Sequence, residues 1–141
     1  RRYEVVGYYK NALLIDDYAH HPTEIKATLA TAKEHTKGKV ITIFQPHTFT
    51  RTYSLLDQFA KSFELSDLAI ITDIYPAREK DEGLVHSKNL IQKIKQLGIN
   101  SIYASNFEEA ARLVKESFSE DDTIITVGAG NVYKVMDYIK K

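Results

Sequence analysis

The sequence contains no cysteine, so neither a disulfide framework nor a thiolate metal site is available to it. Charge of one sign is also lacking. Nineteen Lys and Arg balance nineteen Asp and Glu, giving a formal net charge of zero, and nothing in that balance points to a polyanion or an anionic membrane as partner. Nucleic acid is therefore not an expected ligand. No apolar run approaches the roughly 20 residues of a membrane span. The opening residues Arg1, Arg2, Tyr3 and Glu4 lack the apolar core of a signal peptide, so a cytoplasmic location is the expectation. Position 1 is not Met, which suggests a piece of a longer chain. There is no internal repeat, low-complexity tract or linker. What remains is a length of 141 residues with 43% apolar side chains, enough for one domain with a real core.

The most unusual stretch is Asp16-Asp17-Tyr18-Ala19-His20-His21-Pro22-Thr23-Glu24, where the apolar run Ala12 to Ile15 ends in two carboxylates, a phenol and two imidazoles. Pro22 suits the first turn of a helix, where its missing N–H would have no partner anyway, and Glu24 adds negative charge at that N-terminus. The polar cluster is thus expected on a strand-to-helix turn, a common ligand site in α/β proteins.

Residues 3 to 17 read as a β-hairpin turning at Lys10-Asn11. Ile25, Leu29 and Ala32 recur at helical spacing, predicting a helix from Pro22 to about His35 that stops at Lys37-Gly38. Val40 to Phe44 is a nearly continuous apolar run, as in a strand buried on both faces, and it ends in Gln45-Pro46-His47. A helix is expected from about Thr52 to Leu65, a strand over 68–74, and an irregular charged segment from Tyr75 to Val85. Helices over about 87–97 and 107–118, the latter capped by Asn106, flank a short strand at 101–103. The last strand, 123–127, runs into Gly128-Ala129-Gly130-Asn131 and a closing helix carrying Val132, Val135, Met136 and Ile139. This alternation predicts an α/β fold with a doubly wound, mostly parallel Rossmann-like sheet and an antiparallel N-terminal hairpin. In such a sheet the segments 17–20, 45–51, 73–78 and 128–131 gather along one edge.

Several chemistries fit these segments. Asp17 and His20 suit an acid/base pair, a metal pair or groups that orient a ligand; a metal-dependent hydrolase would draw on Asp17, His20 and His21. The absence of cysteine, and of a third ligand at short spacing, speaks against zinc. His21 also reads as a residue packed under the helix start, and Asp16 as an acceptor for backbone donors there. His47 and Arg51, four residues apart near a helix start, suit a carboxylate or phosphate, against a plainer reading as a Thr cap beside an exposed Arg. Gly128-Ala129-Gly130 lacks the third glycine of a dinucleotide fingerprint and follows the last strand, so a tight turn accounts for it. Arg78, Glu79 and Lys80 fit a solvated loop or a site equally well.

Taken together, DDYAHHPTEI (16–25), FQPHTFTRT (44–52), YPAREK (75–80) and VGAGN (127–131) resemble the C-terminal domain of the Mur ligases over essentially the whole chain. The paired histidines and the QPH-x-x-x-R segment are most similar to the member that joins L-alanine to UDP-N-acetylmuramate; the member that recycles a murein tripeptide onto the same sugar nucleotide matches the second motif less well. The resemblance implies a three-domain ATP-dependent ligase of bacterial cell-wall synthesis. In it the muramyl carboxylate is phosphorylated to an acyl phosphate, and the amine of L-alanine attacks that acyl phosphate to give ADP and phosphate. ATP and Mg2+ are the implied cofactors, with the P-loop and the metal ligands in a central domain. No P-loop pattern occurs in these 141 residues, so the chain alone is expected to be inactive, and no catalytic residue or metal ligand is assigned to it. The resemblance places Arg2 and Asp17 at the ATP site. It places Tyr18, His20, His47 and Arg51 near the alanyl end of the product. Thr48 stands where some members carry another arginine; if that arginine helps hold substrate in those members, its absence here puts more of the task on Arg51 or leaves that contact unmade. A different class of function, a stand-alone nucleotide-binding module, would bind ATP tightly without further domains.

Overall fold

The computed structural model describes residues 2–141. The hairpin comprises β1 (Glu4–Tyr9) and β2 (Ala12–Asp17), with Tyr9 opposite Ala12. Lys10 and Asn11 between them have φ of 46° and 68°, the two positive values that a two-residue type I′ turn requires. Then come α1 (Pro22–His35), β3 (Val40–Phe44), α2 (Phe49–Ser54), α3 (Leu56–Lys61) and β4 (Leu68–Thr72). After a long loop follow α4 (Ser87–Gln96), β5 (Ser101–Ala104), α5 (Phe107–Ser117) and β6 (Thr123–Val127). A 3-10 turn (Val132–Lys134) leads into α6 (Val135–Ile139).

The six strands order as β1-β2-β6-β3-β4-β5, antiparallel only at the β1–β2 pair. Because successive side chains of a strand point to opposite faces, the apolar central strands feed two separate cores. On one face Ile15, Phe44, Ile71 and Val127 pack with Ile25 and Leu29 of α1, Phe59 of α3, Phe63, and Leu90 of α4. On the other, Leu14, Ile41, Ile70 and Ile124 pack with Val114 of α5 and with Val135 and Ile139 of α6. Each fully buried side chain of this size contributes about 1.5–3 kcal/mol relative to exposure. The crossovers thus place α1, α3 and α4 on one face and α5 and α6 on the other, which is the doubly wound arrangement. Among the described residues no helix is long and apolar enough to cross a membrane.

Three element boundaries differ from the sequence expectation. The helix expected over 52–65 begins earlier, at Phe49, and is broken at Leu55 (φ −116°, ψ 25°) into α2 and α3. Thr52 is buried in the first piece, and Phe59 and Ala60 are buried in the second; the bend lets each piece seat its own inward side chains. The strand expected over 68–74 stops at Thr72. Ile74 is buried like a strand residue but pairs in no named ladder, and its apolar character extended the expected strand. The closing helix opens with a 3-10 turn, Val132–Lys134, before α6.

Candidate functional site

β2, β6, β3 and β4 are consecutive in the sheet, so their carboxyl-terminal segments form one continuous ledge. Backbone hydrogen bonds carry the pairing past the strand ends: Gly128 N–H donates to the Asp17 carbonyl at 3.1 Å and Gln45 N–H to the Val127 carbonyl at 3.1 Å. The Gln45 side chain, 5% exposed, clamps the 128–131 turn. Its Nε2 donates to Asn131 Oδ1 at 2.9 Å, and its Oε1 accepts from Asn131 N–H at 3.1 Å. Further along, His47 and Tyr75 form a parallel bridge beyond β3 and β4. Tyr75 N–H donates to the Pro46 carbonyl and Thr48 N–H to the Tyr75 carbonyl, both at 2.8 Å.

That bridge stacks the Tyr75 ring on the His47 imidazole, with centroids 5.4 Å apart and planes 17° apart. Gly130 is what makes room for the ring. A Cβ there would lie 2.8 Å from Tyr75 Cδ2 and 2.6 Å from Gln45 Oε1, closer than side chains pack, so an alanine would push Tyr75 off His47. The VGAGN motif is therefore a packing device for the ledge.

Four of the residues singled out from the sequence are neighbours. Tyr18, 45% exposed, meets the His20 ring edge-on at 5.4 Å; the His20 and His47 rings lie 6.0 Å apart; and Arg51 Nη1 lies 3.3 Å from His47 Nδ1. A guanidinium only donates, so His47 Nδ1 must accept and its proton sits on Nε2. Burial is the first cause holding the His47 pKa below its ordinary value, followed by the positive charges of Arg51 and His20, with Glu79 opposing. Neutral His47 thus offers an Nε2–H donor. His20 differs: its Nδ1 lies 3.1 Å from the Tyr18 carbonyl, which only accepts, so Nδ1 carries a proton, and in the neutral form of the ring Nε2 is the acceptor. The ledge presents, in a row, an acceptor, a donor and a half-buried guanidinium.

Asp17 is turned inward. It is 4% exposed and accepts from Tyr3 N–H at 3.0 Å, Ala19 N–H at 2.8 Å and Thr28 Oγ1 at 3.1 Å. It thereby ties the segment beside Arg2 to the 18–20 turn. Arg2 itself is exposed. Its charge reaches Glu24: burial raises that carboxyl's pKa, but hydrogen bonds from His20 and His21 N–H and the charges of His20 and Arg2 outweigh burial and leave it below its ordinary value.

Some expectations require correction. His21 is not packed under the turn; it is exposed and is the N-cap residue of α1, with its N–H donating to Glu24 Oε1 at 3.2 Å. Asp16 does not serve the helix start: it is 2% exposed within β2 and accepts from Thr126 Oγ1 at 2.7 Å. It is Asp17 that takes the turn's backbone donors, so Asp17, His20 and His21 do not converge as a hydrolase site would need. Among the described residues no group of three or more His, Asp and Glu is arranged to hold a metal ion.

The start of α2 is also not open to a ligand anion. Glu79 Oε1 already accepts from Phe49 N–H at 2.7 Å and Thr50 N–H at 3.2 Å, and Thr48 Oγ1 accepts from Arg51 N–H at 3.3 Å. Thr48 is the cap, as the plainer reading had it, but Arg51 is half-buried rather than a surface group. Thr48 pays for this position with φ 69° and ψ 148°, a region that costs a β-branched residue of order 1–3 kcal/mol. Sequence reasoning missed the roles of Glu79, Tyr75 and the Gln45–Asn131 pair. Their partners lie 27 to 86 residues away in the chain, and a spacing that long leaves no local signal.

A cleft of about 580 Å3 against α5 and α6, lined by Asn106, Arg112, Tyr138 and Lys141, contains none of these groups. Arg112 there is spent on Glu109 and Glu116. A cavity of about 390 Å3 adjoins the ledge at Phe49, Thr50, Glu79 and Leu84.

Comparison with known proteins places this geometry. Residues 1–130 match the family described as Mur ligase, glutamate ligase domain. The UDP-N-acetylmuramate–L-alanine ligase of Acetivibrio thermocellus is 50% identical over all 141 residues, which span 30% of that protein. Among solved structures, the UDP-N-acetylmuramate–alanine ligase of Thermotoga maritima superposes with a TM-score of 0.77 at 31% identity, over 99% of this chain and 29% of that one. The murein peptide ligase of Psychrobacter arcticus superposes with a TM-score of 0.80 at 23% identity, over 99% of this chain and 29% of that one. At that identity the second likeness shows the fold alone.

Proposed function

The chain belongs to the Mur ligase glutamate ligase domain family, and from that premise we propose that its 141 residues are the C-terminal domain of a three-domain ligase that joins L-alanine to UDP-N-acetylmuramate at the expense of ATP. The chain spans about 30% of the length of the curated relatives it matches, and the P-loop and Mg2+ ligands belong to the remainder. When bound in the full-length enzyme, ATP with its metal supplies the phosphoryl group that activates the muramyl carboxylate.

The observation that carries the reading is the row His20, His47, Arg51. An amino acid has a carboxylate at one end and an amine at the other, and the ledge matches both. Arg51 and the Nε2–H of His47 receive the carboxylate through charge-assisted hydrogen bonds. The Nε2 lone pair of His20 accepts from the amine, and Tyr18 flanks it. Arg2 contributes to the ATP site. Asp17, buried and already bonded to three donors, serves that site by fixing the segment that bears Arg2. Binding the amine in a set orientation lowers the entropy cost of its attack on the acyl phosphate. The surroundings of such a reaction are cytoplasmic.

The sequence likeness to L-alanine ligases, at 45–50% identity, favours L-alanine over the tripeptide of the recycling enzyme, which the fold does not distinguish. In the full-length protein, release of phosphate from ATP is expected to require both UDP-N-acetylmuramate and L-alanine. A tripeptide that supports turnover as well as L-alanine does would transfer the assignment to the recycling ligase. Tight ATP binding by the 141-residue chain alone, measured calorimetrically, would favour the stand-alone module.

A further inference from the structure

The amino-acid ledge depends on a turn that is held from outside. His47 and Arg51 are separated by Thr48, whose backbone lies in a region natural to glycine, and such a conformation persists only where its surroundings over-determine it. α2 has six residues, too few to fix its own direction. The restraint comes from the segment after β4. The Tyr75 carbonyl takes the Thr48 N–H at 2.8 Å. Four residues on, Glu79 takes the N–H groups of Phe49 and Thr50 and also the Thr50 hydroxyl. We propose that Glu79 is a positioning residue for amino-acid binding: it holds the first turn of α2, and through it the Arg51 guanidinium and the His47 ring, in the orientation that receives the substrate carboxylate.

The inference rests on the amino-acid reading of the ledge. Glu79 is suited to the role because its carboxylate fills the helix N-terminus, where negative charge is favoured, and leaves Arg51 as the group offered to a ligand. The Glu79 carboxyl is held below its ordinary pKa, first by the Thr50 hydroxyl and then, against an opposing effect of burial, by the Thr50 and Phe49 N–H groups and the Arg51 charge. Pro76 to Leu84 is exposed except for the half-buried Glu79, whose side chain bonds the loop to the first turn of α2.

Steady-state kinetics of the full-length enzyme test the assignment. Glu79→Ala is expected to raise KM for L-alanine about tenfold while kcat and KM for ATP stay within about twofold, because the effect is on placement of binding groups. Glu79→Gln keeps an acceptor oxygen and should recover most of the loss. Thr50→Ala removes only the side-chain bond and should raise KM about twofold. On an Arg51→Ala background, Glu79→Ala should add less than it does in the unmodified enzyme, since part of its effect passes through Arg51 and the rest through His47. An unchanged alanine KM in Glu79→Ala, with a raised one in Arg51→Ala, overturns the inference and leaves the amino-acid reading standing. An unchanged KM in both overturns both. A fall in kcat together with a rise in every KM, unrelieved by Glu79→Gln, marks a merely structural role and also overturns it.

Discussion

Replacing Arg51 by alanine in the full-length protein is expected to raise KM for L-alanine roughly 10- to 100-fold and to leave KM for ATP within about twofold, since hydrogen bonds between charged groups are worth about 1.5–3 kcal/mol. The asymmetry follows from where Arg51 sits. Its Nη1 rests on His47 at 3.3 Å, on the β3 side of the ledge, whereas Arg2 precedes β1, next to Tyr3, whose N–H is bonded to Asp17 at the end of β2. Arg51→Lys should recover little, because an ammonium cannot reproduce the fork that meets a carboxylate with two parallel bonds. The experiment reads initial rates at varied L-alanine and fixed ATP, then the reverse. Equal changes in both constants would mean that Arg51 shapes the fold of the ledge rather than the amino-acid contact.

The second large effect is on stability. Asp17→Ala is expected to destabilise the 141-residue chain by about 3 kcal/mol, because removing one partner leaves buried donors unsatisfied at about 1–3 kcal/mol each. The donors are Tyr3 N–H, Ala19 N–H and Thr28 Oγ1. The Thr28 hydroxyl can turn to another acceptor and the Tyr3 N–H lies nearer the surface, so the full sum is not realised. For a domain of this size the loss corresponds to a fall in Tm of roughly 10 °C. Asp17→Asn keeps one oxygen for Ala19 and presents an amide to the Thr28 hydroxyl, which can accept, so about half the loss is expected. Urea unfolding followed by circular dichroism checks both variants. A stability change below about 0.5 kcal/mol for Asp17→Ala, the range of an ordinary surface substitution, would show that the carboxylate is not the tie between the Tyr3 segment and the 18–20 turn.

Much of this architecture was legible in the sequence, and the reason differs by element. The strand over 40–44 and the helix over 22–35 were readable because burial on both faces of a sheet imposes a continuous apolar run, and a helix start marked by Pro22 and Glu24 is a local chemical signal. Gathering of the polar strand ends followed from topology alone. The break at Leu55 was not legible, because the apolar stripe Leu55, Leu56, Phe59, Phe63 keeps helical spacing across it. His47 and Arg51 were readable as a pair at helical spacing. Their tautomer and orientation were not, because these depend on Tyr75, Gly130 and Glu79, brought in by the sheet from distant parts of the chain. Asp16 and Asp17 show the same limit at one-residue resolution. Adjacent strand residues point to opposite faces, and only the register of β2 against β6 tells which carboxylate meets Thr126 and which meets Thr28.

The central claim is that the ledge formed by His20, His47 and Arg51 holds the amino acid by its carboxylate. The most direct measurement is a crystal structure of the full-length enzyme with its L-alanine-bearing product. The account predicts the alanyl carboxylate at about 2.8 Å from the Arg51 guanidinium, within hydrogen-bond reach of His47 Nε2. A carboxylate held by other parts of the protein, with Arg51 still resting on His47 and touching no ligand, would contradict it.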